Sequence, residues 1–187
     1  MRNLLGAALL LACPFSAQSS CRLPAINHQQ SVDLRHFLAK RYYTPEYAHN
    51  LPNYADMPPK PIADYALRFS AASIPGTGLF AAYVSGTPFC GSGGCVVIIV
   101  RPAGHSFKVV GEVDMVFNPA MQLPTQRAGY PELGVWRRGY PDGGHEVAIS
   151  YNGRRYELRE TSHLSRDVRR MTGKTLIDRE DRGCPAL

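Results

Sequence analysis

The sequence predicts one α+β domain, mainly an antiparallel β meander with an N-terminal helix and a short C-terminal helix. Three observations carry that expectation. The run Val96-Val97-Ile98-Ile99-Val100 is β-branched throughout and has no polar alternation, the pattern of a strand buried on both faces. From Phe107 to Phe117, apolar and polar residues alternate, as they do in a strand with one wet face. The 15 prolines and 17 glycines among 187 residues punctuate the chain with turns. A chain of this length suits a single core.

The N-terminus reads as a targeting segment. Arg2 supplies a positive start, Leu4 to Ala12 an apolar centre, and Ser16-Ala17-Gln18-Ser19-Ser20 the small residues of a cleavage region. The expectation is a signal peptide over residues 1–19 and an exported domain over 20–187, periplasmic or secreted. A second reading takes Leu10-Leu11-Ala12-Cys13 as a lipobox-like stretch, with Cys13 lipidated and the chain anchored to a membrane. Beyond this segment nothing approaches the ~20 apolar residues of a spanning helix.

Setting Cys13 aside leaves Cys21, Cys90, Cys95 and Cys184. Four cysteines in an exported chain suggest two disulfides with three possible pairings. Cys90–Cys95 with Cys21–Cys184 is favoured, because the first pair is close in sequence and the second ties the ends together. No second Cys/His pair lies at ligand spacing, and the six histidines are scattered. No metal and no cofactor is therefore expected.

The formal net charge of +6 falls to +5 when Arg2 leaves with the signal. Between Arg154 and Lys174 stand seven basic and three acidic residues. That stretch is either a solvated face or a surface for an acidic partner. No nucleic-acid-binding motif is present.

Taken in order, the elements are these. Ser31 can cap a helix starting at Val32, with Asp33 in its first turn and Lys40 and Arg41 near its end, as the helix dipole favours. Leu34, Phe37 and Leu38 form its apolar stripe, Pro45 ends it, and His36 lies on its surface. Five prolines, Pro45 to Pro61 inclusive, mark an extended covering loop, around which Tyr42, Tyr43, Tyr47 and Tyr54 cluster. A first strand starts at Tyr65, and a turn at Pro75-Gly76-Thr77-Gly78 leads to a second, Leu79 to Val84. The central strand follows the cysteine loop. The next strand runs from Phe107 to Asn118 with a bulge at Gly111, and a loop spans Asn118 to Pro131. Strands at Leu133 to Arg138 and His145 to Tyr151 follow. Asn152-Gly153 signals a two-residue type I′ hairpin pairing Tyr151 with Arg154, Ile149 with Tyr156 and Val147 with Leu158. The last helix is expected from Ser165 to Thr172, stopped by Gly173. The sheet would thus hold about six or seven strands.

Catalytic motifs do not assemble. Gly91-Ser92-Gly93-Gly94 differs from the nucleophile motif of trypsin-like proteases at Gly91, where the aspartate should stand. It also fails as a hydrolase elbow, because Cys90 takes the first glycine position and a strand follows. Glu112 and Asp114 share the wet face of a strand, where solubility is their ordinary role. The chain therefore reads as a binding protein rather than an enzyme. The candidate binding residues are Gly91, Ser92, Gly93 and Gly94 in the braced loop, and Trp136, Arg138 and Tyr140 beyond it. In the strand from Leu133 to Arg138, Leu133 and Val135 point one way, and Trp136 and Arg138 the other. If the apolar pair faces the core, Trp136 is exposed beside arginine, a residue set enriched at binding hot spots. The reverse register would bury Trp136.

Three pieces carry a resemblance: Phe-Cys-Gly-Ser-Gly-Gly-Cys (89–95), Leu-Pro-Thr-Gln-Arg-Ala-Gly-Tyr-Pro-Glu-Leu (123–133) and Tyr-Asn-Gly-Arg-Arg-Tyr (151–156). Together they resemble a group of small exported bacterial proteins with a Cys-Gly-Ser-Gly-Gly-Cys loop, a Leu-Pro-Thr segment and an aromatic-Asp/Asn-Gly-Arg hairpin. The layout is also similar to that of periplasmic inhibitors and immunity proteins, an analogy at the level of fold. The implied function is a non-enzymatic binder of a protein partner, an inhibitor or immunity protein against a peptidoglycan-degrading enzyme. The alternatives are a small exported hydrolase, or an envelope protein binding acidic polymers through Arg154 to Lys174.

Overall fold

A computed structural model describes residues 26–42, 67–85, 89–138, 143–159 and 170–178. Among them stand one helix, α1 (His28–Tyr42), and eight strands: β1 (Arg68–Ile74), β2 (Leu79–Ser85), β3 (Cys95–Ala103), β4 (Ser106–Arg127), β5 (Tyr130–Arg137), β6 (His145–Tyr151), β7 (Tyr156–Arg159) and β8 (Lys174–Ile177). Strands β1 to β7 pair in sequence order, each antiparallel to the next. The meander then closes on itself, because β7 meets β4 in parallel at Gly111↔Tyr156. Strand β8 joins β4 from residues 120 to 122. The described chain is a mainly β barrel and meander carrying a single helix.

The uninterrupted apolar run forms the centre of this sheet, as its composition predicts. Val97, Ile98, Ile99 and Val100 are at most 1 % exposed. Val97 and Ile99 face an inner core with Val135, Val147, Ile149, Leu176 and Ile177. Ile98 and Val100 face the opposite side, where Leu34 and Leu38 of α1 cover them together with Phe80 and Phe107. Full burial of each such leucine contributes roughly 1.5–3 kcal/mol.

Helix α1 starts earlier than Ser31 suggests, because Asn27 caps it. The Gln30 N–H donates to Asn27 Oδ1 at 2.8 Å, and the Asn27 N–H donates to Gln30 Oε1 at 2.9 Å. These reciprocal bonds make a capping box. The far end is fastened to the sheet. Tyr42 donates to Glu112 Oε1 at 2.7 Å, and Arg41 Nη2 lies 2.9 Å from Glu112 Oε2. Glu112 is thus the anchor of the helix and not a solubilising residue.

Two further expectations are corrected. The loop expected from Asn118 to Pro131 is strand, since β4 continues to Arg127. Proline at 119 and 124 hides this in the sequence. The ladder accommodates them through register shifts between Phe117 and Ala120 and between Gln122 and Gln126. The hairpin after β6 has a four-residue loop, and its register is displaced by two: Tyr151 pairs with Tyr156 and Ile149 with Leu158. Asn152 Oδ1 accepts from the N–H groups of both Arg154 and Arg155, at 2.9 Å each. The Tyr151 and Tyr156 rings then meet at 5.3 Å. A shift of two keeps every side chain on its expected face. Finally, residues 160–169, most of the expected C-terminal helix, lie outside the described residues. The chain from 171 to 173 is irregular, and the strand β8 follows where no strand was expected. The described residues are thus mainly β with a single helix, and most of the short C-terminal helix of the expected α+β fold falls outside them.

Candidate functional site

The cysteine loop is a miniature hairpin. Cys90 and Cys95 form a disulfide. Inside it, the Gly91 N–H donates to the Gly94 carbonyl at 2.9 Å, and the Gly94 N–H returns to the Gly91 carbonyl at 3.1 Å. Ser92 and Gly93 form the tip. Cys90, Gly91 and Ser92 are exposed, Gly93 is half-buried and Gly94 is buried. Gly94 has φ +115°, and a Cβ there would come within 2.5 Å of the Val116 carbonyl oxygen. Only glycine allows this close approach of the loop to β4.

Beneath the loop, β4 is bulged. Cys95 pairs with Val116, but Val97 pairs with Val113. Of the residues between, Met115 takes φ +57°, the left-handed region that a side chain of its size rarely adopts. The bulge turns Met115 out of the apolar alternation in which its sequence position places it. It is 49 % exposed, the one large apolar side chain so exposed among the described residues. Its Cε lies 3.0 Å from where a Cβ on Gly93 would stand, so Met115 lies against the loop tip.

From the other side comes Arg138, whose Nη1 donates to the Ser92 carbonyl at 3.3 Å. Residues that are 46 positions apart in sequence therefore share one knob: Gly91, Ser92, Gly93, Gly94, Met115 and Arg138. Trp136 precedes Arg138 on the same side of the chain. Leu133 and Val135 face the inner core and are fully buried, whereas Trp136 is half-buried on the outer face. Its indole nitrogen packs over Gly144, where a Cβ would approach to 2.7 Å. Tyr140, Cys21 and Cys184 lie outside the described residues.

Beyond Trp136 the outer face of β5 and β6 carries two buried carboxylates. Glu146, opposite Trp136, is 1 % exposed. Its Oε1 has no hydrogen-bond partner, and it lies over Gly134, where a Cβ would meet it at 2.5 Å. Burial pushes its carboxyl up from 4.5 to about 7. Glu132 behaves oppositely. Burial pushes it up, but hydrogen bonds with Ser150 and Thr125, and the charges of Arg159 and Arg127, outweigh that and hold it below the ordinary value. Ser150 donates to Glu132 Oε1, and Arg159 Nη1 lies 3.6 Å from the same oxygen.

Sequence reasoning missed Met115 and Glu146. Met115 fits its strand pattern until the bulge is known. Glu146 did leave a signal, an acidic residue directly before the apolar run Val147-Ala148-Ile149. Among the described residues no three His, Cys, Asp or Glu side chains gather as a metal set, and no helix is long and apolar enough to cross a membrane. No protein-family model, curated protein or solved structure matches the chain.

Proposed function

We propose that the chain is an exported, non-enzymatic binding protein that uses the knob around Ser92, Met115 and Arg138 to block a cell-wall hydrolase. The observation that carries this reading is the convergence of a disulfide-braced loop, an exposed methionine and an arginine at one place. Methionine, arginine and aromatic residues are enriched at protein interfaces. A braced loop loses little conformational freedom on binding. The positive charge of the chain favours a target with an acidic cleft. The resemblance carried by residues 89–95, 123–133 and 151–156 points to the same class of exported proteins.

The test is capture from an envelope extract with the wild type and with a Met115→Ala/Arg138→Ala variant, followed by assay of the captured enzyme. The expected result is a peptidoglycan hydrolase that the wild type inhibits at equal stoichiometry and the variant inhibits at least tenfold more weakly, as loss of a hot spot of about 1.4 kcal/mol or more predicts. Equal inhibition by both proteins would remove the knob from the function. A second reading, a small hydrolase, is favoured by Glu132 and Glu146, two carboxyls on one face driven in opposite directions. Under it the purified protein itself cleaves a glycan substrate, and Glu146→Gln abolishes cleavage.

A further inference from the structure

The end of the sheet away from the knob is strongly basic. Arg101 on β3 pairs directly with Lys108 on β4, and both side chains are exposed. Like charges directly opposite on adjacent strands repel. Neither residue makes an ion pair within the described chain. The closure of the barrel adds to them. Because Gly111 pairs in parallel with Tyr156, the chain just before Tyr156 runs beside the chain just before Gly111. That brings exposed Arg154 and Arg155 next to the strand carrying Lys108. The neighbouring acids are already engaged, Glu157 with Arg155 at 3.6 Å and Asp33 as acceptor from the Gln29 side-chain amide at 2.8 Å.

We infer that Arg101, Lys108, Arg154 and Arg155 form a second binding surface, for a linear acidic polysaccharide. Guanidinium groups suit the carboxylate and sulfate groups of such a polymer, and a row of cations matches anions repeated along a chain. The surface has no feature of the competing ligands. The hairpin tip from 102 to 106 is exposed and carries no large apolar side chain to enter a bilayer. No exposed aromatic among these residues offers a stacking platform for nucleic-acid bases. Arg101 stands six positions along β3 from Cys95, roughly 20 Å at about 3.3 Å per residue. The surface is therefore independent of the knob and goes beyond the function proposed above.

The experiment measures binding of a fluorescein-labelled heparin oligosaccharide by anisotropy over a range of salt concentrations. Arg101→Glu/Lys108→Glu should weaken binding roughly tenfold or more and lower its salt dependence. Lys40→Glu/Arg68→Glu, which changes net charge equally at exposed sites on α1 and β1, should leave affinity within about twofold. Single Arg101→Glu puts opposite charges across the strand pair, so its melting temperature should rise while its affinity falls. Equal weakening by both double variants would mean that net charge alone binds the polymer, and would overturn the assignment. So would unchanged affinity in Arg101→Glu, or binding to phosphatidylglycerol vesicles without binding to the oligosaccharide.

Discussion

Glu146→Gln is expected to make the protein more stable at neutral and alkaline pH and to flatten its pH dependence. The folded-state pKa of Glu146 is raised by burial, from 4.5 to about 7. In the unfolded chain the carboxyl ionises near the ordinary value. Between those values the folded state retains a proton that the unfolded state has lost. The stability associated with protonated Glu146 is thus fully present below about pH 4.5 and disappears as pH rises through about 7. At about 1.4 kcal/mol per pH unit, the loss is on the order of 3 kcal/mol. Glutamine fills the same space and cannot ionise, so the variant should gain on the order of 2–3 kcal/mol over the wild type at pH 8, and little at pH 4.5. Urea titrations at several pH values measure this, followed by the fluorescence of Trp136, the only tryptophan in the chain. The difference between the two proteins cancels the other titrating groups. Glu132, held below its ordinary value, acts in the opposite sense, with its stability lost as pH falls into the acidic range. Parallel pH profiles for wild type and variant would refute the reasoning, and would mean that Glu146 is solvated or paired when ionised.

Gly94→Ala should destabilise by roughly 2 kcal/mol or more, because φ +115° and the Val116 carbonyl both oppose a side chain. Gly91→Ala, with open space around it, should stay within about 0.5 kcal/mol in the same denaturation series. Tyr42→Phe keeps the ring packed on Phe89 at 5.0 Å but removes the bond to Glu112. It should cost roughly 1.5–3 kcal/mol, seen as faster amide exchange along α1, and unchanged exchange would show that the bond does not fasten the helix. Non-reducing peptide mapping should return Cys90 joined to Cys95, and replacing both by serine should cost about 2 kcal/mol in thermal or urea unfolding. Recovery of Cys90 joined to Cys21 or Cys184 would contradict the braced loop.

Local chemistry made much of this protein legible before any tertiary structure. The run from Val96 to Val100 read as a strand covered on both faces, because it is β-branched throughout and no polar residue interrupts it. Leu34, Phe37 and Leu38 announced a helix with one apolar side. Leu133 and Val135 set the inward face of β5 and so turned Trp136 outward. The short spacing of Cys90 and Cys95 made their pairing the simplest one. These features depend on residues within a few positions of one another, where period and spacing suffice. The remainder depends on distant partners. Asn118-Pro119 looks like a loop until β5 and β8 are present to hold β4 together across it. Met115 belongs to an apolar alternation until the loop at Gly94 approaches Val116 and the strand bulges. Arg138 meets Ser92 because β3 and β5 both pair with β4 at Val116, and Arg154 comes beside the strand of Lys108 because the meander curls until β7 reaches β4. Glu146 acquires its raised pKa from burial over Gly134, and burial is a property of the whole fold. Alternation tells which residues share a face of one strand, but the closure of the sheet decides which strands meet, and the candidate surfaces are made where they do.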